Sequence, residues 1–362
     1  MSQRNSSTSI AAWPERQQGL SLVELMVALT ISVVLIFGAT QVYVDSRNAY
    51  NVNESIARLQ ENARYAMSVI EPDIRMSNYW GLIKGATGVS GQTAAASGAT
   101  NPEVLVCGAT YAVDLNTTLQ GDNNSYSRTG GCNTVAGTGW NTSAQLSSDT
   151  LTVRRASNVQ SVNGLNQPLS LLNVLQICST RLAGRLYSDG SVCGTSPSSQ
   201  VNNLIVNEYY VDNNSSQGAI PSLRRKSLTT IGTVKQFVDQ EIMAGVEDIQ
   251  VQFGIDASGV SGVATKYVNP NFALPVGAAV VSVRVWLLLR SEAPEPGLLD
   301  NRIYQYGDRL NATGVVSTLN AVGSRGRAFQ PSLDASNALT SIKRYRRLLV
   351  CRTFQIRNSL GT

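Results

Sequence analysis

Two residue patterns in this 362-residue chain carry chemical potential: an acid set into an apolar run, and a group of spaced cysteines. The acid is Glu24, in Gly19-Leu20-Ser21-Leu22-Val23-Glu24-Leu25, and the 20 residues from Leu25 to Val44 that follow carry no charge. An ionised carboxylate at the centre of a membrane helix costs roughly 2.5–3.5 kcal/mol on insertion scales, and less near the interface, so such an acid calls for a partner. If the chain were cut between Gly19 and Leu20, a free α-amino group would become available to pair with Glu24. The cysteines are Cys107, Cys132, Cys178, Cys193 and Cys351, none in a C-x-x-C pair. Cys107/Cys132 and Cys178/Cys193 each bracket a short Gly/Ser/Asn-rich stretch. In an oxidising compartment they read as two local disulfides, worth about 2–4 kcal/mol each, against the plainer alternative of isolated thiols. Cys351, in the apolar run Leu348-Leu349-Val350-Cys351, is expected to act as a small core hydrophobe.

Most catalytic chemistry has no support. The chain contains no histidine, which removes Ser-His-Asp and Cys-His nucleophile systems and every His-containing zinc site. No phosphate-binding glycine loop with Lys-Ser/Thr is present. Asp212-Asn213-Asn214 fails as a calcium loop, because Gly218 is displaced by one place and Arg224 falls near where a terminal acid is needed. The expectation is a non-enzyme without cofactor or metal. A net charge of +5 and a pI near 9.0 are too weak to name nucleic acid as a partner. The basic clusters Arg224-Arg225-Lys226 and Lys343-Arg344 with Arg346-Arg347 read as solvated strand faces or turns.

Composition, 43% hydrophobic and 15% charged, is that of a folded protein. The uncharged run is long enough to cross a hydrocarbon core of about 30 Å as a helix. It exceeds the 7–15-residue apolar region of a secretory signal peptide, and Phe37-Gly38-Ala39 places a bulky residue where a small one is wanted. A plain anchor fits the length but gives Glu24 no purpose. Arg16 on the N-terminal side weakly favours a cytoplasmic leader and an exported C-terminus. Further on, Ile56, Leu59, Ala63, Ala66/Met67, Ile70 and Ile74 keep a 3.6-residue rhythm with charged residues between them. One helix therefore runs on from the membrane and covers a sheet with its apolar stripe, and Pro72 should kink or restart it. Ile249, Val251, Phe253 and Ile255 alternate with polar residues and glycine, and Val281, Val283, Val285, Leu287 and Leu289 share one strand face. A last strand is expected over about Leu348 to Ile356. The fold class is α+β: a long membrane-spanning N-terminal helix packed on a mainly antiparallel head with long disulfide-stapled loops. The expected divisions are a leader over 1–19, a transmembrane and stalk helix over 20–80, and an extracytoplasmic head over 81–362. Within the head, 81–200 reads as loop-rich insertion and 201–362 as the main sheet.

Gly19 with Leu20 through Leu25 resembles the processing motif of type IV prepilins. The resemblance implies that a prepilin peptidase cuts after Gly19 and methylates Leu20. It also implies that Glu24 pairs with a neighbouring subunit's terminal amine during assembly. Leu20 stands where phenylalanine is commoner, and the leader is longer than that of most major pilins. Leu59 to Ala66, Asp73 to Met76, Gly245 to Val251, Arg284 to Arg290 and Tyr345-Arg346-Arg347 with Phe354 to Asn358 are similar to the PilW family of minor pilins. That family implies a subunit of the tip or initiation complex, working with other minor pilins, the major pilin, a large tip adhesin and the inner-membrane assembly platform. It implies storage in membrane lipid before assembly, with the head periplasmic and then at the pilus tip on the cell surface. A pseudopilin of a type II secretion system shares the N-terminal logic. A membrane-anchored hydrolase would need a carboxylate pair or activated Ser/Lys that no spacing supplies, and an adhesin or nucleic-acid binder is the third alternative.

Overall fold

A computed structural model describes residues 21–93, 97, 111–124, 126, 144–145, 148–191, 193, 199–218, 220–308 and 343–359. The chain divides into two units, residues 1–54 and 55–362. Helix α1 spans Leu22–Arg75 and belongs to both. Its periodic residues form one stripe, and Leu59, Ala63, Ala66, Met67, Ile70, Asp73 and Ile74 are buried. Pro72 does not restart the helix: α1 runs three residues past it, and the Met76 amide bonds the Pro72 carbonyl at 3.0 Å. The missing donor removes one intrahelical bond, to the Ser68 carbonyl, in the last turn of the helix.

Among the described residues, fourteen strands follow. The first four are β1 (Tyr79–Trp80), β2 (Ile83–Lys84), β3 (Val89–Ser90) and β4 (Leu119–Gln120). Next come β5 (Leu151–Gln160), β6 (Leu172–Ser179), β7 (Gly184–Asp189), β8 (Gln200–Asp212), β9 (Ser222–Ile231) and β10 (Val234–Ala244). The last are β11 (Val246–Asp256), β12 (Lys266–Val268), β13 (Ala279–Arg290) and β14 (Arg347–Gln355). An eight-stranded sheet runs β10-β9-β8-β6-β7-β3, with β5 joining β8 and β4. A four-stranded sheet runs β12-β11-β13-β14, and β1 with β2 form a small ladder. Every pairing is antiparallel except β3 with β7. The stretch from 151 to 200 supplies β5, β6 and β7 to the eight-stranded sheet. Gly245 makes the step from one sheet to the other. Its φ is +87°, and a Cβ there would lie 2.9 Å from the Arg290 carbonyl oxygen, so glycine suits both the conformation and the close approach.

One core joins helix and sheets. The α1 stripe meets Leu151 and Val153 of β5, Tyr209 and Val211 of β8, Ile249, Val251 and Phe253 of β11, and Val283, Val285 and Leu287 of β13. All nine hydrophobic positions expected inward over 249–255 and 281–289 are buried, but Gln250 and Leu288 on the opposite face are buried as well, so these strands are not simply half-buried. Cys351 corrects another expectation: it is an exposed free thiol. On β14 the core-facing positions are Leu348, Val350 and Phe354, and a period of two sends Cys351 to the opposite face.

Candidate functional site

The apolar part of α1 is suited to a lipid or protein environment along its whole circumference. Residues 21–50 are exposed, and the helix is long and apolar enough to cross a membrane. Its hydroxyls fold back on the backbone: Thr30 donates to the Val27 carbonyl at 2.9 Å, Ser32 to Ala28 at 2.7 Å and Thr40 to Ile36 at 2.9 Å. Such bonds satisfy polar groups within the helix where solvent water is missing. Glu24 lies in the first turn, where the helix's partial positive charge favours an acid. It is exposed among Leu22, Val23 and Leu25, and among the described residues no hydrogen bond or ion pair is made by its carboxylate. Gly19 and Leu20 lie outside the described residues.

In the head, the other end of the helix is held by a buried acid. Asp73 is 4% exposed. Its Oδ1 accepts from Arg155 Nε at 3.0 Å and Nη2 at 2.8 Å. Its Oδ2 accepts from Asn207 Nδ2 and the Tyr209 hydroxyl, both at 2.6 Å. Four donors from β5 and β8 therefore converge on one side chain of α1. Burial, and then the neighbouring Asp73 charge, hold the Tyr209 hydroxyl well above its usual pKa, so it stays a donor. Glu71 adds a more exposed link, to Arg352 of β14 at 2.9 Å. Sequence reading set Asp73 on the polar face of the helix. Its spacing of three from buried Ile70 was the available signal that position 73 points inward.

A second ionic cluster assembles the sheet stretches that sequence reading singled out. Glu247 accepts from Arg347 Nε at 2.6 Å and Nη2 at 2.9 Å, and lies 3.5 Å from Arg290 Nη1. Arg347 also reaches Asp300 at 3.2 Å, and the Tyr304 hydroxyl donates to Asp300 at 2.9 Å. Burial opposes the Arg347 charge, but Glu247 and Asp300 outweigh it and keep the guanidinium's pKa raised. The basic clusters are thus largely consumed inside the head. Arg224 pairs with Asp239 at 2.8 Å and Glu241 at 3.2 Å, Lys226 is buried over the Tyr210 ring, and Arg346 pairs with Glu295 at 2.6 Å. The solvated-face reading is overturned for Lys226 and Arg347, because each is buried with a compensating partner.

Cys178 of β6 and Cys193, which lies beyond the end of β7, form a disulfide with Cα atoms 5.6 Å apart. Cys107 and Cys132 lie outside the described residues. Among the described residues, no group of three or more His, Cys, Asp or Glu side chains is arranged to hold a metal.

Two family models match the chain. The prokaryotic N-terminal methylation motif covers residues 15–40, which include Gly19, Leu20 and Glu24. The type IV pilus-assembly protein W model covers 208–358, from within β8 through β14, including the Glu247–Arg347 cluster. The stretch Leu59 to Met76 lies outside both matches. A solved type IV-like pilin from Thermus thermophilus aligns over 59% of this chain and 80% of its own, at 13% identity and a TM-score of 0.26. That overlap is too loose to define a common fold. No curated protein matches the chain. The family match lies with pilus assembly, and a place in a type II secretion system is not favoured. With a methylation motif on an apolar helix and a PilW domain across residues 208–358, the chain is a type IV pilus minor pilin, anchored in the inner membrane by that helix with its head in the periplasm.

Proposed function

We propose that this minor pilin is a non-catalytic subunit of the tip or initiation complex that primes pilus assembly. Prepilin peptidase removes residues 1–19 by cutting between Gly19 and Leu20, and the Leu20 amine is then methylated. The mature helix is stored in membrane lipid. On extraction by the inner-membrane platform it packs against the helices of other minor pilins and the major pilin, beneath a large tip adhesin. Glu24 sets register by meeting the terminal amine of an adjoining subunit. The observation that carries this reading is the position of Glu24: first turn, apolar neighbours, and no partner among the described residues. A carboxylate that enters a dry helical bundle unpaired carries a desolvation penalty of several kcal/mol, by order of magnitude, and a neighbouring cation offsets it.

The test is mass spectrometry of the mature N-terminus after co-expression with prepilin peptidase, followed by fibre incorporation. A start at methylated Leu20 is expected. Glu24→Ala should be processed normally yet enter fibres poorly, and Gly19→Leu should block cleavage. Retention of the first nineteen residues beside an active peptidase, or wild-type incorporation of Glu24→Ala, contradicts the reading.

A further inference from the structure

The edges of the two sheets are not equally protected. β3 and β4 are two residues long, and β12 has three. β10 is longer, but its register shifts between Glu241 and Met243 and it carries Lys235, Asp239 and Glu241. Short strands, bulges and edge charges are the usual devices that stop strand addition. β14 has none of them between Leu348 and Cys351. It pairs with β13 over nine consecutive residues without a register shift, contains no proline, and has no charge across Leu348-Leu349-Val350-Cys351.

The phase of the ladder identifies which backbone groups face outward. Below the end of β14, the Ile356 amide donates to Val281 at 3.0 Å, and above its start the Ser291 amide donates to Arg346 at 2.8 Å. In an antiparallel pair, hydrogen-bonded and non-bonded positions alternate. Leu348, Val350, Arg352 and Phe354 therefore bond β13, while the N–H and C=O groups of Leu349, Cys351 and Thr353 point away from it. The Arg357 amide, in the same phase, bonds the last-turn carbonyl of Arg75 at 3.1 Å. Among the described residues, no strand pairs with this outer edge. At its start lies a cavity of about 310 Å³ in which aliphatic Ile56, Leu59, Leu298, Leu299 and Leu348 lie beside polar residues that include Asp300, Arg302, Arg346 and Arg347, room for an aliphatic side chain against the leucines.

We propose that the outer edge of β14 is a strand-addition site for an extended segment of a neighbouring pilin head, with an aliphatic side chain of that segment seated in the adjoining cavity. Alternating outward N–H and C=O groups match only another extended backbone, and the uncharged centre of the strand favours a β-prone, apolar sequence over a charged one. The choice of a pilin rests on the assembly reading above. The two other occupants available are this chain's own residues 309–342 and a second copy. An antiparallel second copy centred on Cys351 would set the two Cys351 thiols opposite each other.

Hydrogen exchange on the full-length mature chain in detergent tests the idea, alone and with each purified pilin of the same host. Fast exchange at Leu349, Cys351 and Thr353 is expected for the chain alone, with slowing of at least about tenfold when the cognate pilin is added. Cys351→Pro removes one outward donor without touching the β13 ladder. It should leave thermal unfolding nearly unchanged and weaken that pilin's binding at least about tenfold. Val350→Pro removes an inward donor and should destabilise the sheet. Protection already present in the lone monomer assigns the edge to the chain's own segment and overturns the proposal. Protection that follows the chain's own concentration, or a Cys351–Cys351 crosslink, assigns it to a second copy and does the same. No protection by any pilin, from a wild-type chain that still enters fibres, sinks the edge site alone. A wild-type chain that never enters fibres sinks the assembly reading with it.

Discussion

Replacing Asp73 with alanine should be among the most damaging single changes to the head. The residue is 4% exposed, and its carboxylate receives two bonds from Arg155, one from Asn207 and one from Tyr209. The substitution leaves the Arg155 guanidinium, whose side chain is 11% exposed, without its counter-charge. Breaking a buried pair from one side costs roughly 3–5 kcal/mol. The two neutral donors left behind would add about 1–3 kcal/mol each if they stayed dry, but water entering the vacated space and the remaining bond from Arg155 to the Ala156 carbonyl at 3.2 Å limit the sum. About 4 kcal/mol is the working figure, and at roughly 2–4 °C per kcal/mol for large domains it lowers Tm by on the order of 8 °C or more. Thermal unfolding of the full-length chain in detergent measures it. Asp73→Asn keeps the volume and one acceptor, and should fall between wild type and alanine. Arg155→Met in the Asp73→Ala background should cost much less than it does alone, because the unpaired charge is then gone. A loss below about 1 kcal/mol for Asp73→Ala, or strict additivity in the double variant, would refute this account of the hub.

Two other outcomes follow from the head. Cys178→Ser with Cys193→Ser should lower stability by about 3 kcal/mol, the loop-closure value for a loop of this size, given a sequence separation of 15; an unchanged unfolding midpoint would contradict it. Asp256 accepts from the Ser258 hydroxyl, from the hydroxyl and amide of Ser261 and from the Gly262 amide. The Ser258 hydroxyl above all, with the Ser261 and Gly262 donors, holds the carboxyl below the usual carboxylate range. A depressed folded pKa means that the stabilisation is present at neutral pH and is lost as pH falls through that lowered value. Carboxyl chemical shifts followed through an acid titration would show it, and an ordinary aspartate midpoint would count against it.

What could be read from the sequence was what depends on near neighbours. The α1 stripe, β11 and β13 announce themselves by periods of 3.6 and 2 in which each apolar residue needs only its own strand or helix to be recognised. β6 and β7 do not alternate in this way. Gln176 of β6 is fully buried and bonds Asn203 at 2.9 Å and the Leu171 amide at 2.7 Å, so polarity there marks an inward position. Cys351 failed for a related reason: an apolar run implies burial only where both faces of the strand are covered, and β14 is an edge. The ionic clusters were out of reach because their members are far apart in the chain. Arg155 and Tyr209 are 82 and 136 residues from Asp73, and Arg347 is 100 from Glu247. Composition records that such residues exist, not which of them meet.

Asp73 and Glu24 pose the same solvation problem at opposite ends of one helix. Each is an acid where the pattern around it is apolar, and neither would sit without water in an apolar setting unless donors replaced the lost hydration. For Asp73 the head supplies four donors, two of them on one guanidinium that carries full positive charge. That is the scale of compensation this fold uses for one dry carboxylate. Around Glu24 the chain supplies Leu22, Val23 and Leu25, and nothing among the described residues bonds it. While the acid stays near the membrane interface, water and lipid headgroups can serve it. Once the helix is packed into a bundle of similar helices they cannot, and the neighbours' apolar side chains have no donors to offer. On the assembly proposed above, a cationic terminus at the start of an adjacent helix would supply both charge and N–H groups at the depth where Glu24 lies, and the acid would penalise any packing register that leaves it without one.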